Sequence, residues 1–253
     1  MFTDIDHKHA IAQAFGRAAA SYDRFADVQR ASGEHLLDLM PAHNGIQVLD
    51  AGCGTGYFSR HWQRQGKHVT ALDLSPTMLA YAREQRAAEC YVQGDIEHLP
   101  LGAGCVDISY SNLAVQWCDD LPRALAELYR VTRRTGIIAF STLAAGSLHE
   151  LSQAWAQWDG TRRVNHFLPA EAIAAACQPY RHQLHQECIT CYFPDVLNLM
   201  KSLKGIGATW LQQGRAPGLL SRSRLNGFSA VYPRRPEGYP LSYHLIYGVI
   251  YRD

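Results

Sequence analysis

An apolar strand pattern that runs directly into a glycine-spaced loop constrains this chain more than any other feature. Ile46-Gln47-Val48-Leu49-Asp50 leads into Ala51-Gly52-Cys53-Gly54-Thr55-Gly56, and a helical pattern follows over residues 57–65. Glycines at this spacing let the backbone turn sharply and approach a ligand with no side chain between them. The strand–loop–helix unit then repeats. Residues 68–73 read as a second strand, and Ser75-Pro76 opens a helix with a capping hydroxyl followed by a proline at its first turn. Residues 91–93 and 106–110 read as further strands. Leu121, Leu125, Leu128 and Val131 mark one face of a helix, and 136–143 is a long buried strand. Strands alternating with helices of this length imply a parallel sheet with right-handed crossovers.

The flanks differ. Residues 8–20 predict a helix with Ile11, Ala14, Phe15 and Ala18 on one stripe, and a second helix follows over 25–40, ended by Pro41 and Asn44-Gly45. Beyond 145 the alternation lapses. Helices are expected over 148–158, 169–177, 195–203 and 217–229, with strands near 185–193 and over 240–251. The chain therefore divides into N-terminal helices covering a ligand site (1–44), an α/β core (45–145), and cap insertions with the last two sheet strands (146–253).

Composition narrows the function classes. The 253 residues, 47% hydrophobic and 19% charged, suit one soluble α/β domain with a small cap. The best apolar run, 137–143, is far shorter than a membrane span and is broken by Ser141 and Thr142. Asp4 and Asp6 with no apolar stretch behind them do not read as a secretory signal, so a cytoplasmic location is expected. Seven scattered cysteines do not form a disulfide framework. Cys188 and Cys191 fall in a predicted strand, where residues three apart point to opposite faces, so they read as apolar fillers and no metal is expected. The net charge of +1 hides an asymmetry: residues 195–253 carry eight Lys/Arg against three Asp/Glu, a net +5, leaving −4 for the rest. That pattern suits one acidic partner better than nucleic acid or a membrane.

The acidic residues around the loop define its ligand. A dinucleotide fingerprint needs its third glycine at position 57, which is Tyr57, and Asp50 would repel a pyrophosphate. A ligand carrying an ammonium and a sulfonium suits Asp50. Asp73 ends the next strand, where a carboxylate accepts both ribose hydroxyls of an adenosine, or else caps the helix after it. Gly94-Asp95-Ile96 follows the third strand. Asp95 is placed to accept from an adenine amine, with Leu74, Met78 and Ile96 against the ring, unless it is merely a turn former.

This series of motifs over residues 45–145 resembles the class I methyltransferase superfamily. The resemblance implies a Rossmann-like seven-stranded sheet, mostly parallel with a reversed last strand, and S-adenosylmethionine (SAM) across its C-terminal edge. The flanks extend it. Residues 15–23 (Phe-Gly-Arg-Ala-Ala-Ala-Ser-Tyr-Asp) with Ala26 and Gln29, residues 111–118 (Ser-Asn-Leu-Ala-Val-Gln-Trp-Cys), residues 202–209 (Ser-Leu-Lys-Gly-Ile-Gly-Ala-Thr) and residues 239–244 (Tyr-Pro-Leu-Ser-Tyr-His) are similar to the malonyl-[acyl-carrier protein] O-methyltransferases that begin biotin synthesis.

That resemblance implies methyl transfer from SAM to the free carboxylate of a malonyl thioester on acyl-carrier protein, with malonyl-CoA as a surrogate. A carboxylate with a pKa near ~4 is already ionised at neutral pH, so neither a general base nor a metal is required. The SAM site is expected to comprise Gln29, Asp50, Gly52, Cys53, Gly54, Gly56, Asp73, Leu74, Met78, Gly94, Asp95, Ile96, Asn112, Leu113 and Gln116. Tyr22 is the candidate for positioning the acceptor, or a core tyrosine. Trp117 walls the acceptor pocket or fills the core, and Arg17 grips a carboxylate or is a helix surface charge. Lys201, Lys204, Arg215, Arg222 and Arg224 are candidates for docking the acidic carrier protein, against a plain solvated surface. Two other readings stay open from the residues alone: a methyltransferase of a free small acid or quinone, and a SAM-binding protein without catalysis.

Overall fold

The structure is a computed structural model and describes residues 4–161, 163–208 and 222–253. In chain order it runs α1 (Asp4–Tyr22), α2 (Asp27–Leu39), β1 (Gln47–Ala51), α3 (Tyr57–Arg64), β2 (His68–Asp73), α4 (Pro76–Glu84), β3 (Cys90–Gln93), β4 (Val106–Asn112), α5 (Leu121–Val131) and β5 (Thr132–Leu143). Then come α6 (His149–Asp159), α7 (Ala170–Cys177), β6 (Arg181–Phe193), α8 (Val196–Gly205), α9 (Arg222–Val231) and β7 (Tyr239–Tyr251). The strands form one seven-stranded sheet in the order β3-β2-β1-β4-β5-β7-β6. The first five are mutually parallel, and β7 runs antiparallel to both β5 and β6. The reversed strand is the one the resemblance implied.

Strand alternation sorts the core into two faces. Val48 and Tyr110 point toward α2 and α3, where Leu36, Phe58 and Trp62 receive them. Leu49, Ala51, Leu72 and Phe140 point the other way, against Leu125 and Leu128 of α5. Asp50 shares the face of Val48, which delivers a carboxylate into an otherwise apolar layer.

The predicted boundaries shift where polar residues hide a strand. β5 starts at Thr132, ahead of Gly136, because Arg133, Arg134 and Thr135 are exposed beside a register shift against β4. β6 starts at Arg181 rather than near His185; it is the sheet edge, and its outward residues carry no apolar signal. Cys188 and Cys191 do point to opposite sides: Cys188 Sγ lies 3.9 Å from His244 Nε2, and Cys191 packs on the core. The region beyond 145 is not all cap, since Ile173, Ala176 and Cys177 of α7 pack into the same core face as α5. Trp155 and Trp158 of α6 pack on Phe228 of α9, with the Trp155 and Phe228 rings 4.2 Å apart.

Candidate active site

The loop after β1 is pinned before any ligand arrives. Gly52 N and Cys53 N both donate to Leu72 O, at 2.7 and 2.9 Å, which ties the loop to the end of β2. Gly54 N donates to Asp73 Oδ2 at 2.9 Å, and Asp73 Oδ1 accepts from Ser75 N at 2.8 Å. The glycines differ in purpose. At Gly52, φ is +81° and a Cβ would fall 2.3 Å from the Ala114 Cβ, so the requirement is close packing as well as conformation. At Gly54, with φ of +54°, a Cβ would meet nothing within 4 Å: the space above this backbone is cavity. Gly56 lines no part of that space; it caps α3 against Ala82 and Ala87.

Two cavities meet at this loop along the C-terminal edge of β1, β2 and β4. The first, about 90 Å³, is lined by Gly52, Gly54, Asp73, Leu74, Met78, Gly94, Asp95, Ile96, Leu113 and Trp117 from the sheet side, and by Lys8, Ile11, Phe15 and Tyr22 of α1. The second, about 40 Å³, is lined by Asp50, Gly52, Cys53, Gly54, Thr55 and Asn112, and by Tyr22, Asp23, Gln29 and Arg30. Tyr22, Gly52, Gly54 and Asn112 face both. Asp23 is held there by the Thr55 hydroxyl, which donates to its Oδ1 at 2.6 Å.

The charges around these cavities favour a cation. Asp50 is buried and accepts from Ser59 Oγ at 2.5 Å. Burial pushes its carboxyl up to about 7 against that hydrogen bond, and the neighbouring Asp73 adds to the rise. Asp73 is raised as well, by burial, although backbone amides of Ser75, Gly54 and Leu74 pull the other way. The Tyr22 phenol is held well above its ordinary value by burial and then by Asp73 and Asp23, so it keeps its proton and serves as a donor. Burial likewise keeps the Cys53 thiol protonated. Gln29 Oε1 is buried with no hydrogen-bond partner among the described residues, an acceptor waiting for a donor at the Asp50 cavity. The open backbone at Gly54, the two acidic side chains and this amide oxygen fit a ligand with an adenosine at one end and an ammonium near Asp50 and Gln29.

Not every predicted residue reaches the cavities. Asn112 lines both, but its amide is committed to the scaffold: Nδ2 donates to Gln29 O at 2.8 Å, and Oδ1 accepts from Ser141 Oγ at 2.7 Å and Ser32 Oγ at 3.0 Å. Its role is therefore to fix α2 over β4. Leu113 adopts a left-handed backbone with φ of +49°, held by donation of its N to Ser141 Oγ at 2.9 Å, and such a strained residue at a site edge is stabilised by its surroundings. Gln116 folds its amide back onto Leu113 O at 2.8 Å and lines neither cavity. Arg17 is exposed and lines neither cavity, because it lies off the buried Ile11–Ala14–Ala18 stripe of α1. Trp117 is half-buried, walls the first cavity, and meets Phe15 edge-on at 5.1 Å.

Sequence reasoning missed Lys8, Asp23, Thr55 and Glu97. Lys8 Nζ lies 3.3 Å from Asp95 Oδ2 and contacts Glu97 Oε2. One signal was available: Lys8 extends the stripe of Ile11, Phe15, Ala18 and Tyr22 at helical spacing, so a cation there had to be buried or paired. Among the described residues, Asp95, Glu97 and Cys118 bring three metal-type ligand atoms together, and the Lys8 ammonium sits beside them. Of the docking candidates, Lys201 and Lys204 are exposed on α8, and Arg224 is exposed on α9 with its guanidinium 5.2 Å from the Trp158 ring centre. Arg222 begins α9, its side chain lying outside the described residues, as does all of Arg215. No helix among the described residues is long and apolar enough to cross a membrane.

Comparison with known proteins agrees with this fold. A family model described as a methyltransferase domain matches residues 49–140, the stretch from β1 to β5. The chain is 71% identical over 253 residues, the whole of both chains, to the malonyl-[acyl-carrier protein] O-methyltransferase of Pectobacterium atrosepticum. It is 60% identical to the protein of the same name from Serratia marcescens, covering 99% of this chain and 98% of that one. Among solved structures, a proposed methyltransferase from Bacillus halodurans superposes with a TM-score of 0.61 at 16% identity, over 88% of this chain and 99% of that chain, which shows the shared fold.

Proposed function

Since the chain belongs to the malonyl-[acyl-carrier protein] O-methyltransferase family, we propose that it moves the methyl group of SAM onto the free carboxylate of a malonyl thioester carried on acyl-carrier protein. The products are the malonyl methyl ester and S-adenosylhomocysteine, at the early stage of biotin synthesis that the resemblance implies. The observation that carries this reading is the 71% identity over the full length of both chains, cap included, because in this fold the acceptor is set by the flanks and not by the sheet.

The site supports the chemistry. SAM supplies an electrophilic methyl group on a sulfonium. Asp50 and the Gln29 amide oxygen receive its ammonium end, and Asp73 and Asp95 its ribose and adenine, with Leu74, Met78 and Ile96 against the ring. The acceptor arrives as an anion, so no side chain needs to remove a proton, and Tyr22 orients it by donating its retained hydroxyl proton. Trp117, Phe15 and Ile11 keep water away, which strengthens the attraction between an anionic acceptor and a cationic donor and lets alignment lower the barrier. An ionised carboxylate attacks a sulfonium methyl without Lewis-acid help, so the reading calls on no metal. Lys201, Lys204 and Arg224 form the basic surface that receives the acidic carrier protein.

Labelled SAM, offered with malonyl-carrier protein, malonyl-CoA or free malonate, tests the reading through release of alkali-labile label. Ester is expected with the carrier-bound substrate first and malonyl-CoA second. Ester on free malonate alone would move the acceptor to a small acid, and SAM binding with no ester on any acceptor would make the chain a binding protein.

A further inference from the structure

The first cavity, at about 90 Å³, is too small for a nucleoside-bearing ligand, since sites for such molecules run to several hundred Å³. Part of its wall must move. The sheet side is held by strand ladders and by the loop bonds to Leu72 O, whereas α1 contributes its wall as one helix. The N-terminal part of α1 is fastened there by two neighbouring side chains: His7 Nδ1 lies 3.2 Å from Asp119 Oδ1, at the half-exposed rim, and Lys8 makes the larger and more buried set of contacts. Lys8 Nζ contacts Glu97 Oε2, Asp95 at 3.3 and 3.4 Å, Trp117 O at 3.4 Å and Asp119 Oδ2 at 4.0 Å. The receiving carboxylate is fixed: Glu97 is buried and accepts from Asp119 N at 3.1 Å and Asp120 N at 2.8 Å. Lys8, Leu74 and Asp95 also line an open groove of about 610 Å³ on their other side, so these three side chains separate cavity from solvent. The far end of α1 is held differently, by α8: Gly207 packs on Phe15, and Ser21 Oγ donates to Gly205 O at 3.2 Å.

We propose that Lys8 is the latch of a cofactor gate: its ammonium, on Asp95 and Glu97, holds α1 closed over the adenosine cavity, and SAM and S-adenosylhomocysteine pass through the adjoining groove when it releases. Lys8 is a positioning residue and takes no part in methyl transfer. The inference rests on the reading of this cavity as the SAM site.

The test is the rate at which S-adenosylhomocysteine leaves the full-length protein, followed by tryptophan emission after rapid mixing with excess SAM. Lys8→Met is expected to speed release about tenfold, the scale of one charge-assisted hydrogen bond. Glu97→Gln should act similarly, and the double variant should be no faster than either single one, because both break the same contact. Lys8→Arg should restore the rate to within about threefold, and the KM for malonyl-carrier protein should stay within about twofold. Lys8→Met leaves a buried carboxylate unpaired, so if it unfolds the protein, the double variant, which removes both charges, is the one to read. Release from either variant at the unsubstituted rate, or additive effects in the double variant, overturns the latch. An unsubstituted protein that binds no S-adenosylhomocysteine overturns the functional reading instead.

Discussion

At the scale of single residues, the buried carboxylate of Asp50 makes a pH-dependent prediction. Its carboxyl sits near 7 in the ligand-free protein, far above its ordinary value, so folding takes up a proton there at mildly acid pH. A raised acid contributes its full stability below the unfolded value and loses it as pH rises through about 7, so this site destabilises the free protein at alkaline pH. A cationic ligand reverses the preference, because it binds the ionised form. SAM affinity should therefore rise about tenfold between pH 6 and pH 8, as expected for one group with a free value near 7 that is ionised in the complex. Titration calorimetry in two buffers of different ionisation heat should show proton release on binding near pH 6.5. Asp50→Asn should bind weakly and lose both the slope and the released proton; an unchanged slope in that variant would place the titration elsewhere.

Helices and strands carry their own sign tests. Gly33 lies inside α2, where alanine is ordinarily better by about 1 kcal/mol. Here a Cβ would fall 2.0 Å from Phe58 Cζ and 2.7 Å from Tyr110 Oη, and Tyr110 donates to Gly33 O at 3.0 Å. The clash outweighs propensity because both rings are buried, so Gly33→Ala should destabilise by about 1–3 kcal/mol, read as a lower chemical-denaturation midpoint. A midpoint equal to or above that of the unsubstituted protein would mean α2 slides freely over β4. The sheet itself was largely legible in the sequence, because strands buried on both faces read as apolar runs and Gly52, Gly54 and Gly56 punctuate them. The ends of β5 and β6 were not, since Arg133, Arg134, Arg181 and Gln183 are polar and exposed. Nor was the latch. Lys8 meets Asp95 and Glu97 across nearly ninety residues, and only the way α1 folds over the sheet brings them together. Asn112 shows the reverse case: its place beside the cavity was foreseen, but its amide is spent on Gln29 and Ser141 because α2 needs an anchor there.

For the whole molecule, the charge asymmetry gains a location. α8 lies beside α1 and presents Lys201 and Lys204 to solvent, with Leu197 exposed one turn earlier on the same helix. Positive charges spread over one surface raise the encounter rate with an acidic protein, an effect that salt screens, while they contribute little to a small substrate already inside the site. Reversing Lys201 and Lys204 to glutamate should therefore raise the KM for malonyl-carrier protein about tenfold and that for malonyl-CoA by about twofold or less, with kcat preserved on both. Ionic strength supplies the second arm. Increasing salt should raise the KM of the unsubstituted enzyme for the carrier-bound substrate and have less effect on the doubly reversed variant, because the steering charges are already gone. The same measurements on Arg17→Glu provide the comparison, as that exposed charge is on α1 and outside the proposed surface. Equal losses with both thioesters, or an Arg17→Glu effect as large as the α8 reversal, would make the asymmetry a property of net charge and remove α8 as the docking element.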